Sequence, residues 1–218
     1  MIEINNFSKK YKNNDIFISS TAIFANDTVS FLMGKNGCGK TTLIKCICGL
    51  ESYKGDIFFD KKKIDFETRK KMLTIWDDCV FYFNLSGIDN LRIFDSIHSK
   101  SKILEVALEY LSEEKLNENV IKYSYGQKKL LSLILVDLLC PQILIMDEIT
   151  NGLDYSTLKR LKIKIAEWKK NSVVILTGHN LDYYSSITDS LFIVKNKSII
   201  KKEFENSNFG DIYDKEFS

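Results

Sequence analysis

The chain has 218 residues, 44% of them hydrophobic, which is enough for one domain with a substantial core. Its 31 basic and 29 acidic residues nearly balance, so the composition gives no electrostatic footprint for nucleic acid or anionic lipid. The opening MIEINNFSKKY lacks the apolar segment of a signal peptide, and Asp137 and Pro141 interrupt the most apolar stretch (130–146), which argues against a membrane span. Five cysteines without zinc-ligand spacing are typical of a reducing cytoplasm, and we expect most of them in the core.

The first third of the chain is rich in predicted β-structure. Apolar and β-branched segments predict strands that begin at Ile2, Ile16 and Thr28. A hairpin over 55–66 and a further strand over 72–76 follow.

The stretch GKNGCGKTT (34–42) stands between a predicted strand and a predicted helix, which Gly49 would end. Its glycines allow backbone N–H groups to turn toward phosphate oxygens, and the helix N-terminus adds positive potential. Lys40 can reach the terminal phosphates, and the Thr41 hydroxyl can ligate Mg²⁺. The alternative is an ordinary Gly-rich turn with a surface lysine. The candidate nucleotide ligands are Gly34, Lys35, Asn36, Gly37, Cys38, Gly39, Lys40, Thr41 and Thr42.

The middle of the chain changes character. Helical periodicity predicts one helix over 101–111 and a second, very apolar helix over 124–139. The later segments are predicted as a strand (142–147), an amphipathic helix (156–170), a strand (172–177), a hairpin turning at 195–197, and a polar, loose tail (206–218). Strands alternating with helices indicate a mainly parallel core sheet. We therefore predict a single α/β domain whose core (1–77 and 138–218) carries a helical insert at about 78–137.

Two acidic residues follow the buried run at the end of the 142–147 strand. Asp147 emerges where open α/β sheets place ligands, and Glu148 comes next. A nucleotide site needs a carboxylate for Mg²⁺ and a group that positions water, and these two residues suit those roles. The alternative is a solvated turn.

Several ordered motifs resemble those of ABC-type ATPases. The stretch DEITNGLD (147–154) is similar to the family's DEPTSGLD, and YSYGQKK (123–129) resembles its LSGGQ signature. VVILTGHN (173–180) resembles the strand that ends in the family's switch histidine. Tyr11 precedes the phosphate loop at the spacing of the aromatic residue that stacks on adenine. The resemblance covers essentially the whole chain.

The resemblance implies a P-loop NTPase fold of the ABC-ATPase type, with an antiparallel β subdomain and an inserted helical subdomain. ATP and Mg²⁺ are the implied cofactors, with Glu148 and His179 as catalytic residues and Thr41, Asp77 and Asp147 at the metal. The implied signature residues, which would contact ATP held by a second copy, are Ser124, Tyr125, Gly126 and Gln127. The implied D-loop residues are Asn151, Gly152, Leu153 and Asp154.

In function, the resemblance implies an ATP-hydrolysing transporter subunit. Two copies would pack head to tail around two ATP molecules and drive a permease on a separate chain, at the inner face of the cell membrane. Ser124 could instead be a simple helix N-cap. Phe81, Tyr82, Phe83 and Leu85 are candidates for the permease contact, or else core residues. The competing hypothesis is a soluble ABC ATPase that serves cofactor or complex assembly.

Four positions depart from the family pattern. Tyr125 replaces a glycine, Ile149 a proline and Asn151 a serine. Counting back from NLSGIDNL (84–91), Asp77 stands where the family carries a glutamine that touches Mg²⁺, unless the register is shifted and Asp77 is an ordinary loop acid. An acid at this place resembles ATPases of lantibiotic-type immunity transporters, which suggests a peptide substrate. We expect His98 at the surface.

Overall fold

The computed structural model describes residues 1–78, 80–204 and 208–217, so Cys79 lies outside the described residues. The strands are β1 (Ile2–Tyr11), β2 (Asn14–Phe24), β3 (Val29–Met33), β4 (Lys54–Phe59), β5 (Lys62–Lys63), β6 (Met72–Ile75), β7 (Ile143–Asp147), β8 (Val173–Thr177), β9 (Ser190–Lys195) and β10 (Ser198–Lys202). The helices are α1 (Lys40–Ile47), α2 (Phe66–Arg69), α3 (Gly87–Phe94), α4 (Lys100–Ala107), α5 (Glu113–Asn117), α6 (Tyr125–Leu139), α7 (Tyr155–Trp168), α8 (Leu181–Ser185) and α9 (Phe209–Phe217). A short 3-10 helix spans Val120–Lys122.

The strands form two sheets. The larger sheet has the order β10-β9-β3-β8-β7-β6, in which β10 runs antiparallel to β9 and the other neighbours are parallel. Every residue of β3, β7 and β8 is buried, as expected for strands covered on both faces. The smaller sheet, β2-β1-β4-β5, is antiparallel. The predicted mainly parallel core sheet with an antiparallel partner is confirmed.

Both predicted hairpins close through two-residue turns. Asp60 and Lys61 join β4 to β5, and Asn196 and Lys197 join β9 to β10; all four residues have positive φ between 48° and 66°. Two consecutive left-handed residues define the turn that matches the twist of antiparallel strands.

Helix α6 carries buried apolar residues on more than one face because it belongs to two cores. Leu133 and Val136 pack with β3, β7 and β8, whereas Leu131 and Ile134 pack with α3, α4 and α5. Asp137, which interrupts the apolar run, accepts hydrogen bonds from the Tyr110 hydroxyl, Lys164 Nζ and Trp168 Nε1. None of the helices in the described ranges is long and apolar enough to cross a membrane.

Two expectations about helix ends were wrong. The helix predicted over 101–111 ends at Ala107, and Leu108 is exposed, because Ser112 caps a new helix, α5. The tail, predicted as loose, forms α9 over 209–217. Its Phe209, Ile212 and Phe217 are buried, and the Phe209 ring stacks on Phe31 with centroids 5.6 Å apart.

The cysteines are less uniformly buried than predicted. Cys46 is buried, and Cys38 and Cys48 are partly buried. Cys140 is exposed, because it is the left-handed residue that ends α6.

Candidate nucleotide site

The sheet order brings three chain segments to one edge. Strands β3, β8 and β7 are parallel neighbours, so their carboxyl ends lie side by side. The phosphate loop follows β3, while Asp147 and Thr177, the last residues of β7 and β8, are directly paired in the sheet. This is the edge at which open parallel sheets bind ligands.

The phosphate loop presents backbone N–H groups at the start of α1. Gly39 precedes the helix with φ 114°, and since it has no side chain, the N–H groups of the first turn are left for a ligand. A β-carbon on Gly39 would lie 2.7 Å from Ile16 and 2.8 Å from Phe17, so β2 packs closely on the loop. The buried Lys40 ammonium donates to the carbonyl oxygens of Gly34 at 2.6 Å and Lys35 at 3.2 Å.

Hard oxygen ligands meet beside the loop. The Thr41 hydroxyl donates to Asp147 Oδ2 at 3.2 Å, and the Thr177 hydroxyl donates to Asp147 Oδ1. A hydroxyl and a buried carboxylate fit Mg²⁺, which keeps several waters and relies on substrate phosphates rather than on a full protein cage. The described ranges contain no cluster of three or more His, Cys, Asp or Glu residues that could hold a metal by themselves.

Glu148 is held from several sides at the end of β7. Its φ of 54° is in the left-handed region, which is uncommon for a residue other than glycine. Its N–H donates to the Thr177 carbonyl at 3.2 Å. Its carboxylate lies 3.1 Å from His179 Nε2 and accepts a hydrogen bond from Asn151 Nδ2 at 2.9 Å.

A cavity of about 420 Å³ lies at this edge of the sheet. Glu148 and His179 line the cavity together with residues of the phosphate loop. The loop contributes Asn36, Gly37, Gly39, Lys40, Thr41 and Thr42. Cys38 lies within the loop and is partly buried. Tyr11, at the end of β1, lies outside this lining; its ring is about two-fifths exposed and faces the Lys9 ammonium at 4.6 Å.

The signature segment caps α6 and lies outside the lining of this cavity. Ser124 Oγ accepts from the Gln127 N–H at 3.2 Å, and Gln127 Oε1 accepts from the Ser124 N–H at 2.9 Å, so the two residues form a capping box. The Ser124 side chain is exposed. The structure therefore shows Ser124 as the N-cap of α6, which was the alternative interpretation. Because its side chain is exposed, Ser124 is also accessible to a second copy of the chain.

The signature segment also packs against the D-loop of its own chain. A β-carbon on Gly126 would lie 2.6 Å from the Gly152 carbonyl oxygen. Gly152, with φ 73°, lies so close to the Tyr125 ring that a β-carbon there would be 2.4 Å from it. Leu153 is partly buried, and Asp154 caps α7 by accepting from the Thr157 N–H at 2.8 Å. Glycine is needed at both contact positions.

Asp77 lies between α6 and the turn after β7. Its backbone carbonyl accepts from the Tyr125 hydroxyl at 2.9 Å, and its carboxylate accepts from the same hydroxyl, from Lys129 Nζ at 3.3 Å and from Asn151 Nδ2 at 3.2 Å. Partial burial would raise the pKa of Asp77, but these donors together lower it.

Sequence reasoning missed two residues of this region, Thr177 and Lys129. Thr177 is the polar last residue of an otherwise apolar strand, and Lys129 is a lysine inside an apolar helix. Those are weak signals, since their partners become visible only when the strand register and the position of α6 are known.

The other candidate residues are mixed in exposure. Tyr82, Phe83 and Leu85 are exposed, whereas Phe81 packs in part against the helical core. His98 is exposed as expected, and its Nδ1 lies 2.7 Å from the buried Asp95.

Comparison with known proteins agrees with this geometry. The family model described as "ABC transporter" matches residues 20–151. The lantibiotic transport ATP-binding protein SrtF of Streptococcus pyogenes is 30% identical over 213 residues, which cover 95% of this chain and 93% of that protein. The methionine import ATP-binding protein MetN of Clostridioides difficile is 26% identical, over 92% of this chain and 68% of that protein.

Solved structures show the same fold. A structure described as the ATP-binding subunit of an ABC transporter superposes with a TM-score of 0.89 at 23% identity, covering 99% of this chain and 98% of that one. The structure of cbiO1 from Clostridium perfringens, described as part of the ABC transporter complex cbiONQ, gives a TM-score of 0.77 at 20% identity over 99% of this chain and 91% of that one.

Proposed function

Since the chain belongs to the ABC transporter family, as an ATP-binding subunit that hydrolyses ATP, we propose that it dimerises on ATP and drives a separate membrane permease. The observation that carries the proposal is the convergence of Lys40, Thr41, Asp147, Glu148 and His179 at one edge of the sheet. These are the parts a phosphoryl-transfer site needs: a phosphate cradle, metal ligands and a group that positions water.

In this proposal, the chain's own residues divide the work of hydrolysis. Lys40 exchanges its carbonyl partners for the phosphates and neutralises their charge. The Glu148 carboxylate, directed by His179 and Asn151, orients the attacking water and takes its proton. Thr41 and Asp147 would hold Mg²⁺, and the ion would offset charge on the phosphate oxygens. Asp77 would reach the ion only by exchanging the Tyr125, Lys129 and Asn151 donors that its carboxylate now contacts.

The position of Ser124 supports a dimer. It caps α6 on an exposed surface outside the lining of the phosphate cavity, so it cannot serve ATP there without moving. A second copy related by twofold symmetry can bring its Ser124 to this ATP while offering its own phosphate loop in return. The site is then complete only in the pair.

The helical insert, taken as about residues 78–137, supports a permease partner. Tyr82, Phe83 and Leu85 are exposed near its start, and aromatic residues of this kind are enriched in protein interfaces. Docking there would place the chain at the inner face of the membrane. The similarity to a lantibiotic transport protein, together with the acid at Asp77, favours a peptide substrate.

The catalytic part is tested by Glu148→Gln. The amide cannot accept the water's proton, so we expect hydrolysis to be lost while MgATP still binds and the dimer persists. ATPase rate and size-exclusion chromatography with and without MgATP measure both effects. Glu105→Gln, an exposed substitution on α4, is the matched control. A Glu148→Gln chain that remains monomeric and active would refute the assignment.

The partner is tested by purifying the native chain from detergent-solubilised membranes. We expect a polytopic membrane protein to copurify, and the combined substitution Tyr82→Ser and Phe83→Ser to release it without loss of ATP binding. Recovery from the soluble fraction with an assembly complex would favour the competing non-transport function instead.

A further inference from the structure

Lys129 is a lysine whose side chain is fully buried. It lies on the second turn of α6 and reaches the space between that helix, Asp77 after β6, and Glu148 after β7. Removing an ammonium group from water is costly unless charged or polar partners replace the solvent. The burial of the Lys129 ammonium group beside the proposed catalytic base therefore needs an explanation.

The partners of Lys129 are oxygen atoms on both flanking segments. Its Nζ lies 3.3 Å from Asp77 Oδ1, 3.3 Å from the Trp76 carbonyl and 3.5 Å from the Glu148 carbonyl, and 5.2 Å from the centre of the Tyr125 ring. Asp77 is the charged partner, and the carbonyl oxygens complete the surroundings of the cation.

These contacts close a ring around the proposed catalytic base. Lys129 contacts the Glu148 backbone, while Asn151 donates one amide to the Glu148 carboxylate at 2.9 Å and to Asp77 at 3.2 Å. Asp77 in turn accepts a hydrogen bond from Lys129, which closes the ring of contacts. Glu148 has a left-handed backbone, a conformation that persists only where its surroundings enforce it.

We propose that Lys129 is a positioning residue for hydrolysis. Paired with Asp77, it fixes the backbone of Glu148 and, through Asn151, the direction of the Glu148 carboxylate. The inference rests on the proposed role of Glu148 as the group that orients water. Lys129 lies outside the lining of the phosphate cavity, so we expect its effect to fall on the rate of the chemical step and not on nucleotide affinity.

The position of Lys129 gives this arrangement a second property. Its helix, α6, packs with α3 and α4 as well as against the sheet core, whereas Glu148 directly follows strand β7. A displacement of α6 moves the ammonium away from the Glu148 carbonyl and from Asp77 together. The base is aligned only while α6 is seated against the turn after β7.

The test compares Lys129→Met, Asp77→Asn and the double variant by steady-state ATP hydrolysis at saturating Mg²⁺, so that weaker metal binding does not enter. We expect each single variant to lower kcat by roughly 10- to 100-fold with the KM for ATP changed less than about twofold. Because both act through one ring, the double variant should lose no more than the worse single variant. Lys129→Arg, which keeps the charge, should recover part of the rate.

The double variant also distinguishes a loss of Glu148 positioning from a general loss of folding stability. Lys129→Met removes one charged partner of Asp77 and is expected to lower the melting temperature, whereas the double variant removes both charges of the pair. Restored melting temperature with a low kcat supports the proposal. Restored melting temperature with restored kcat, a raised KM with unchanged kcat, or multiplicative losses in the double variant would overturn it.

Two controls keep this result apart from the proposed function. Lys128→Met changes a neighbouring lysine that lies over the Phe83 ring, and it should leave isolated-subunit hydrolysis unchanged. If Glu148→Gln is inactive but Lys129→Met is fully active, only the role of Lys129 is refuted. If Glu148→Gln remains active, the assignment of the base fails whatever Lys129 does.

Discussion

At the scale of single residues, the phosphate loop carries an unusual chemical handle in Cys38. Its side chain is partly buried against the hydrophobic core, and a β-carbon on Gly34 would lie 2.5 Å from its sulfur. Burial raises the pKa of Cys46 to about 11 and raises that of Cys48, so both thiols are poor nucleophiles near neutral pH. Cys38 and the exposed Cys140 are therefore the better targets among the described cysteines.

We expect MgATP to protect Cys38 from a thiol alkylator, because a nucleotide bound to the loop stabilises its closed conformation, in which the thiol is partly buried. Cys140 serves as the internal control, since it is exposed at the end of α6, away from the site, and should label equally with and without ATP. Peptide mass mapping after a short exposure to the alkylator reads out both positions. Equal labelling of Cys38 in the two conditions would contradict binding at this loop.

The candidate site was predictable where one segment carries the chemistry. The loop from Gly34 to Thr42, and the pair Asp147 and Glu148, could be identified because strand, turn and helix signals surround them. Thr177 and Lys129 could not, because their roles depend on which strand neighbours which and on how α6 rests on the sheet. Asp77 makes four hydrogen-bonded contacts with α6 and Asn151, and whether it takes the place of the family's glutamine at Mg²⁺ stays a prediction.

At the scale of elements, the capping box of α6 has two separable roles. Ser124 and Ser99 both cap helices through the N–H three residues on, at 3.2 and 3.3 Å. We expect Ser124→Ala and Ser99→Ala each to cost about 1 kcal/mol of stability, as measured by urea unfolding. Only Ser124→Ala should also weaken ATP-induced dimerisation and hydrolysis, because only Ser124 is proposed to face a second copy's ATP.

Ser99→Ala is the matched control for the loss of a cap. Should both variants dimerise and hydrolyse ATP alike, the signature role of Ser124 is lost and the plain N-cap interpretation remains. Should Ser124→Ala lose dimerisation without any loss of stability, the capping box contributes nothing to folding.

Element prediction succeeded where the hydrophobic period was unbroken. The apolar runs of β7 and β8 and the long apolar helix α6 correspond closely to their predicted ranges. It failed for α9, because polar residues between Phe209, Ile212 and Phe217 hid an amphipathic helix that packs on Phe31. The prediction also made α4 too long, since Ser112 caps a separate helix, α5.

At the scale of the whole molecule, buried carboxylates make stability depend on pH. Asp95 is buried and accepts hydrogen bonds from the Ile97 N–H at 3.0 Å and the His98 N–H at 3.2 Å, with the His98 ring 2.7 Å away. Burial alone would raise the pKa of Asp95, but these contacts together lower it. A carboxyl whose pKa is lowered by folding stabilises the folded state above its unfolded pKa of about 3.9, and this contribution is lost as the pH falls further.

We therefore expect Asp95→Asn to lower the free energy of unfolding at pH 7 and to flatten its decline below about pH 4. Urea unfolding at a series of pH values from neutral to acid measures both effects. Asp27→Asn, at an exposed turn position, should leave the curve nearly unchanged. Parallel curves for the native chain and Asp95→Asn would show that this carboxyl does not contribute to acid unfolding.

The double burial of α6 has a consequence for how the molecule unfolds. Leu133 and Val136 pack it against the sheet core, and Leu131 and Ile134 pack it against the helical core, so unfolding of this helix removes contacts from both cores. Two cores that share one helix are expected to unfold as one cooperative unit. A nucleotide that stabilises the phosphate loop of one chain is then expected to stabilise α3, α4 and α5 of that chain as well, although it binds elsewhere in the chain.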